Sequence, residues 1–157
     1  MNLSIIALAG FVGTSTMLAV MSVLHTLKLA NADMVRAIGS LYTRSIKGSL
    51  IPGLIIHYSV GLFFAFLYAK LLGILPITTV GSITIVSTFL GFVHGIIVGL
   101  ALEVRVAVYH PVPEFKKVGF AVVVAHIVGH IAYGLSVGIV YAQFLDQMPF
   151  RPIMGLQ

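Results

Sequence analysis

The sequence predicts an all-α integral membrane protein, in which four transmembrane helices form a bundle built from two copies of one helical hairpin. Of its 157 residues, 59% are hydrophobic and 8% are charged, and the mean hydropathy is +1.12. A soluble domain carries roughly 25% charged residues, so this chain cannot cover a surface that faces water. Four apolar runs reach the roughly 20 residues that a bilayer requires, and two of them repeat the same order of histidine, glycine and tyrosine. We therefore expect one membrane domain over residues 1–157.

The four predicted spans are apolar runs bounded by short polar or proline-containing breaks, at about residues 4–25, 51–73, 80–103 and 118–142. Inside lipid a backbone must satisfy its own polar groups, and each run is therefore predicted to be a helix. The breaks contain Pro76 in one case, and Pro111 and Pro113 in another. Pro52 falls in the first turn of the second span, where its missing amide hydrogen costs no hydrogen bond.

The segment between the first two spans has the pattern of an amphipathic helix over about residues 33–47. Its apolar residues recur at helical spacing: Met34, Ile38, Leu41, Tyr42 and Ile46. Its polar residues fall on the other side: Arg36, Ser40, Arg44 and Lys47. Asp33 is a candidate N-cap. This pattern is typical of a helix lying in the membrane interface against anionic lipid, and a solvated linker helix is the alternative.

The distribution of basic residues predicts the orientation of the chain. Four spans place both termini on one side of the membrane. The loops on the opposite side contain seven of the nine basic residues: Lys28, Arg36, Arg44, Lys47, Arg105, Lys116 and Lys117. The side of the termini has Lys70 and Arg151. Basic loops stay in the cytoplasm, so we expect both termini on the non-cytoplasmic side.

The second and fourth spans contain an ungapped repeat. Residues 55–72 read IIHYSVGLFFAFLYAKLL, and residues 128–145 read VGHIAYGLSVGIVYAQFL. The identical pairs are His57/His130, Gly61/Gly134, Leu62/Leu135, Tyr68/Tyr141, Ala69/Ala142 and Leu72/Leu145. The first and third spans share a fainter match, Gly-Phe-Val at residues 10–12 and 91–93. The repeat predicts a duplicated hairpin with a pseudo-twofold axis along the membrane normal, and we interpret the two repeated tyrosines as anchors at the outer interface.

Histidines are the polar residues that distinguish the predicted core. Four of them lie within the spans at similar depth: His57, His94, His126 and His130. The four carboxylates of the chain lie outside the middle of the membrane: Asp33, Glu103, Glu114 and Asp146. A di-iron carboxylate site, an ion-coupled relay and a Ser–His–Asp hydrolase all need a carboxylate in the core. The absence of cysteine excludes thiolate sites. We therefore predict no enzymatic activity.

Ligation through imidazole nitrogen remains as a cofactor hypothesis. His57 and His130 are candidate axial ligands of a b-type haem, because the second and fourth spans are diagonal neighbours in an up-down bundle. His94 and His126 are alternate ligands, and the four histidines together are a candidate site for copper or zinc. The alternative is structural: each histidine donates a hydrogen bond to a carbonyl or hydroxyl group of a neighbouring helix.

Four stretches of the chain carry a family resemblance: GFVGTSTMLAVM, IIHYSVGLFFAFLYA, GFVHGIIVGL and AHIVGHIAYGLSVGIVYA. Together they span residues 10–142, and they resemble a family of small prokaryotic four-helix membrane proteins of unknown function. The markers are Gly13, Thr14 and Met17 in the first span and the His-x3-Gly…Tyr elements of the second and fourth. The resemblance implies the four-span architecture and a multi-pass protein of the prokaryotic cytoplasmic membrane. It implies no activity.

These observations favour a small membrane subunit without catalysis of its own, packed in a larger membrane complex of a respiratory or oxidative kind. Its expected partners are the lipid bilayer and either other membrane subunits or further copies of itself, and nothing indicates nucleic acid. The first alternative is an electron-transfer subunit with a b-type haem or a histidine-bound metal. A small-solute transporter or channel is the weaker alternative, because its core offers no charged relay.

Overall fold

The computed structural model describes residues 2–117 and 119–144, and all regular structure in that part of the chain is helical. The helices are α1 (Leu3–Thr26), α2 (Met34–Thr43), α3 (Leu50–Ile74), α4 (Val80–Tyr109), α5 (Pro113–Lys116) and α6 (Phe120–Gln143). Val118, Leu145, Asp146 and Arg151, which enter the predictions above, lie outside the described residues.

Helices α1, α3, α4 and α6 are long and apolar enough to cross a membrane. They contain 24, 25, 30 and 24 residues, and a rise of about 1.5 Å per residue makes each longer than the roughly 30 Å hydrocarbon core. The predicted all-helical architecture with four candidate spans is confirmed. α4 continues beyond the predicted boundary near residue 103 to Tyr109, because the chain meets no helix breaker before Pro111.

Three of the four sides of the bundle are closed by extensive packing. α6 packs along α4 and along α1, and α1 also packs along α3, whereas contacts between α3 and α4 are sparse. α3 and α6 are therefore diagonal to each other, and the bundle is open between α3 and α4. Two buried side chains cross the diagonal: the Tyr133 hydroxyl donates to the Gly61 carbonyl oxygen at 2.6 Å, and the Tyr141 hydroxyl donates to that of Ala69 at 3.4 Å.

The two repeated tyrosines do not anchor the protein at an interface, so that interpretation was wrong. Tyr68 and Tyr141 are buried, with exposed fractions of 4% and 6%. The Tyr68 hydroxyl lies 3.3 Å from His94 Nδ1, and Tyr141 bonds across the bundle as described. Both tyrosines sit on the same helical face as the histidine that precedes them, and that face is turned into the bundle.

Helix α2 forms within the segment where a helix was predicted, and it is shorter. The Asp33 side chain caps it by accepting from the Arg36 amide at 3.2 Å. The helix ends at Thr43, because Arg44 adopts a left-handed conformation with φ of 54°. Its position in a membrane interface stays a prediction.

The face that α2 turns to the bundle shares only part of the apolar pattern, since Met34 is buried. Val35 and Ser40 are buried, whereas Tyr42 is 75% exposed. Two glycines lie where α2 meets α3: a Cβ atom on Gly39 would collide with the Ser49 carbonyl group, and one on Gly53 would collide with that of Val35. The backbones of α2 and α3 therefore touch, and this close approach accompanies the burial of the apolar Met34 and Val35.

Candidate functional site

The histidines predicted for the core converge on one part of the bundle. His57 of α3, His94 of α4 and His130 of α6 line a cavity of about 200 Å³, hereafter the histidine cavity. His126 lines a neighbouring cavity of about 60 Å³, next to α2 and α5. The structure therefore brings three of the four candidate residues to one site and places the fourth one helical turn away on α6.

His94 is held in place by aromatic rings from two other helices. Its ring lies 4.4 Å from that of His130 and 4.0 Å from that of Phe64, measured between centroids. The His94 and His130 rings are inclined at 66° to each other. On its other edge, His94 Nδ1 lies 3.3 Å from the Tyr68 hydroxyl. These contacts connect α4 to both α3 and α6 at the level of the cavity.

The two histidines of α6 share one hydrogen-bonding arrangement. His130 Nδ1 lies 2.8 Å from the His126 carbonyl oxygen, and His126 Nδ1 lies 2.8 Å from the Val122 carbonyl oxygen. A carbonyl oxygen only accepts, so Nδ1 carries the proton in both rings. In the neutral imidazole the other nitrogen, Nε2, is then an acceptor. Each of these Nδ1 atoms thus donates to a carbonyl group of its own helix. The structural alternative had instead expected a bond to a neighbouring helix.

Two imidazole nitrogens in this region are buried without a hydrogen-bond partner, His57 Nε2 and His126 Nε2. His57 and His126 have exposed fractions of 7% and 4%. A buried polar group without a partner costs about 1–3 kcal/mol, and such groups are uncommon in native structures. Both nitrogens are covered by protein atoms, so they are a local cost of burying the histidines and not contacts open to a molecule in the cavity.

The rest of the histidine cavity is apolar. Its wall includes Met17 of α1, Val60 and Phe64 of α3, and Val98 and Leu102 of α4. Met34 and Ile38 of α2 also line it. Its described lining contains no Asp, Glu, Lys or Arg. Val60 is 47% exposed, so the cavity reaches the surface on the open side of the bundle, between α3 and α4.

Several residues of the site escaped the sequence reasoning. Phe64, Tyr133 and the two α2 residues Met34 and Ile38 belong to the lining. Tyr133 carried a usable signal, because it follows His130 by three residues and therefore shares its helical face. Phe64 follows His57 by seven residues, which is again the same face. The contribution of α2 depends on how that helix docks, and no local pattern indicates it.

The cofactor hypotheses gain no support from the geometry. Among the described side chains of residues 2–117 and 119–144, a set that leaves out Glu103, no three histidines, aspartates or glutamates are arranged to hold a metal ion. An engineered cavity of about 150 Å³ accommodates benzene, so the histidine cavity has the size of one substituted ring, far below that of a tetrapyrrole. Haem ligation by His57 and His130 stays a prediction, as does metal binding through His94 and His126.

No protein-family model matches the chain. Neither a characterised protein nor a solved structure is similar enough to indicate a relationship. The resemblance to the family of small prokaryotic four-helix membrane proteins therefore stays a prediction.

Proposed function

We propose that this protein is a small membrane subunit without catalysis of its own, which holds a lipid-soluble ligand within a larger membrane complex of a respiratory or oxidative kind. One observation carries the proposal: three buried or half-buried histidines, from three different helices, line an otherwise apolar cavity. Apolar walls with a few convergent polar groups are typical of small-molecule sites.

The uneven burial of the four long helices supports the part of the proposal that concerns a partner. The most apolar windows of α3 and α4 are 17% and 22% buried, compared with 39% for α1 and 50% for α6. The two least covered helices are also the two that flank the open side of the bundle. A helix of another subunit docked there would cover both and close the mouth of the histidine cavity.

We also propose that the chain is a duplicated hairpin. The contacts between helices support an alignment of α1 with α4 that is shifted by one helical turn from the Gly-Phe-Val match. Gly61 of α3 lies against Thr14 of α1, and its repeat partner Gly134 of α6 lies against Gly91 of α4. Thr14 therefore corresponds to Gly91. One turn earlier, Gly10 lies against Ala65, and Ser87 lies against Gly138. Two consecutive turns thus repeat the same contacts.

The orientation belongs to the same proposal. Both termini lie on the non-cytoplasmic side of a prokaryotic cytoplasmic membrane, and α2 and α5 lie on the cytoplasmic side. The excess of basic residues in the loops that contain α2 and α5 supports this orientation. The b-type haem and transporter alternatives are not favoured by any described contact.

To test the ligand-holding function, the protein is purified from its native membrane into lipid nanodiscs. The purified sample is then extracted with organic solvent, and the extract is analysed for bound molecules. We expect the organic extract to contain one small lipid-soluble molecule in near-equal amount to the protein. Val98→Phe fills the cavity and should remove that molecule. Ile97→Phe is the matched control. Ile97 precedes Val98 in the chain, is 62% exposed and does not line the cavity. An extract without such a molecule, or equal loss in both variants, would contradict the proposal.

The subunit function is tested by the same purification under mild conditions. We expect other membrane proteins to co-purify at a fixed ratio, and to dissociate when bulky polar residues replace exposed apolar ones on α3 and α4. Phe63→Gln on α3, where Phe63 is 57% exposed, is the variant to make first. A preparation that contains this chain alone, at every detergent concentration, would remove the complex from the proposal.

A further inference from the structure

We infer that the ligand of the histidine cavity is a quinol, a single ring with two hydroxyl groups and a lipid tail. The inference rests on the proposed ligand-holding function and deepens it by naming the class of ligand. It follows from three properties of the cavity: its size, the direction of its hydrogen bonds and the position of its mouth.

Size limits the head group to one ring. The cavity measures about 200 Å³, and about 150 Å³ suffices for benzene, which leaves room for small ring substituents. The Phe64 ring belongs to the wall and offers an aromatic surface against which a second ring can pack. An acyl chain would fill the volume as well, but it would give His130 Nε2 no hydrogen-bond donor.

The direction of the hydrogen bonds selects a ligand that donates. His130 Nδ1 is committed to the His126 carbonyl oxygen at 2.8 Å, so the Nε2 atom of the neutral ring accepts. A phenolic hydroxyl group can donate to it, whereas a quinone carbonyl cannot. His57 also lines the cavity. Its Nε2 atom is covered by protein, and no hydrogen bond described for the ring occupies Nδ1, so Nδ1 suits a second oxygen of either kind. A ring with two hydroxyl groups therefore satisfies both histidines.

The position of the mouth accommodates a lipid tail. The cavity reaches the surface beside Val60, on the side where α3 and α4 have few contacts. In a membrane this side faces lipid, or the partner subunit that we propose. A quinol can then enter laterally with its ring first, and its tail stays among the acyl chains. The described lining has no charged side chain to bind an ionic solute.

The experiment measures binding of decylubiquinol to the full chain in nanodiscs, under anaerobic conditions that keep the probe reduced. Two analogues serve as controls: the quinone, and the dimethyl ether of the quinol, which keeps ring and tail and lacks both O–H donors. We expect the quinol to bind at least tenfold more tightly than the ether. In protein with 15N-labelled histidine, the quinol should shift the resonance of His130 Nε2, and the ether should leave it in place.

A matched pair of variants assigns the effect to the cavity. His130→Leu and His126→Leu each remove one imidazole and the same kind of bond to the helix backbone, but only His130 lines the histidine cavity. We expect His130→Leu to weaken quinol binding about tenfold, equivalent to about 1.4 kcal/mol, and to abolish the preference over the ether. His126→Leu should retain both. If His130→Leu does not fold, the ether comparison and the nitrogen shift on the unaltered protein decide the question.

The outcomes separate this inference from the proposed function. Equal binding of quinol and ether, or equal losses in the two leucine variants, would overturn the quinol assignment. A co-purifying molecule of another class, displaced by Val98→Phe, would leave the ligand-holding function standing and refute the quinol. Absence of any co-purifying molecule together with absence of quinol binding would refute both.

Discussion

At the scale of single residues, the spacing of α4 and α6 depends on backbone atoms that touch. A Cβ atom on Gly134 would collide with the carbonyl oxygen of Ser87, and it would lie 3.0 Å from the Cα atom of Gly91. These are backbone atoms, which cannot rotate away as a side chain does. Small residues at such crossings allow helices in lipid to pack closely, and the packing of α4 on α6 positions His94 against His130.

Gly134→Ala should therefore destabilise the bundle by about 1–3 kcal/mol, the usual cost of overpacking. The measurement is the midpoint of denaturant-induced unfolding in detergent micelles. Gly81→Ala is the control, because a Cβ atom on Gly81 of α4 meets nothing within 4 Å and alanine favours the helix. A Gly134→Ala protein as stable as Gly81→Ala would show that α4 and α6 are not in backbone contact.

A buried hydroxyl group contributes a second link between the same helices. Ser87 Oγ donates to the Gly134 carbonyl oxygen at 2.7 Å. We expect Ser87→Ala to lower the free energy of unfolding by about 0.6 kcal/mol, the average for such bonds in a membrane protein. Ser59→Ala should change it by less, because exposed Ser59 bonds only to Ile55 of its own helix. Equal effects would show that the bond between helices adds nothing.

At the scale of elements, α2 is held against the bundle by its backbone contact with α3 and by one histidine. His110, which is 1% exposed, lies at the end of α4 with Nε2 3.0 Å from the Ala37 carbonyl oxygen in α2. The Val112 amide donates to Nδ1 at 3.1 Å, so Nε2 carries the proton and donates to Ala37. This bond matters for the site, because Met34 and Ile38 of α2 line the histidine cavity.

His110→Leu should loosen α2 without unfolding the long helices. Loss of the bond costs about 1 kcal/mol, which corresponds to about fivefold faster amide hydrogen exchange in residues 34–43. The measurement is hydrogen exchange followed by mass spectrometry in nanodiscs. Exchange in α1 and α6 should stay unchanged in this variant. In the control His25→Leu, exchange should stay unchanged throughout the protein, since His25 is exposed. Unchanged exchange in α2 would mean that its glycine contact suffices.

At the scale of the whole molecule, the two helical hairpins, α1 with α3 and α4 with α6, pack closely against each other on one side of the bundle and stay apart on the other. A pseudo-twofold axis that related them would make the contact of α1 with α6 equivalent to that of α3 with α4. The first contact is extensive and the second is sparse. The departure from symmetry opens the bundle on one side only, and that side contains the mouth of the histidine cavity. We expect this asymmetry to be functional, since a symmetric closure would remove the entrance.

The proposed orientation can be tested without background labelling, because the chain contains no cysteine. Ser45→Cys lies between α2 and α3, and Thr78→Cys lies between α3 and α4. α3 separates the two positions by 25 residues, or about 37 Å. A membrane-impermeant maleimide should label Thr78→Cys in intact cells and Ser45→Cys only after permeabilisation. The reverse pattern would invert the topology, and labelling of both from outside would contradict a spanning α3.

The four long helices could be predicted from the sequence because their cause is local. An apolar run in lipid must satisfy its own backbone, and it stops where a proline or a polar break interrupts it. The same reasoning identified His57, His94 and His130 as core residues, since a histidine inside such a run is buried wherever the helices meet. The helix itself extends beyond the apolar run that predicted the span, and α4 ends at Tyr109, two residues before Pro111.

The sequence by itself thus determined that this is a chain of four long apolar helices with histidines in its core. Only the tertiary structure decided which face α2 buries, that Tyr68 and Tyr141 turn inward, and that α3 and α4 stay apart around a cavity of one-ring size. These features depend on contacts between residues distant in the chain, such as Gly39 with Ser49 and Gly134 with Ser87. These features depend on where small residues let two backbones approach each other. The hydrophobic pattern of a single helix does not indicate where the backbone of a neighbouring helix will lie.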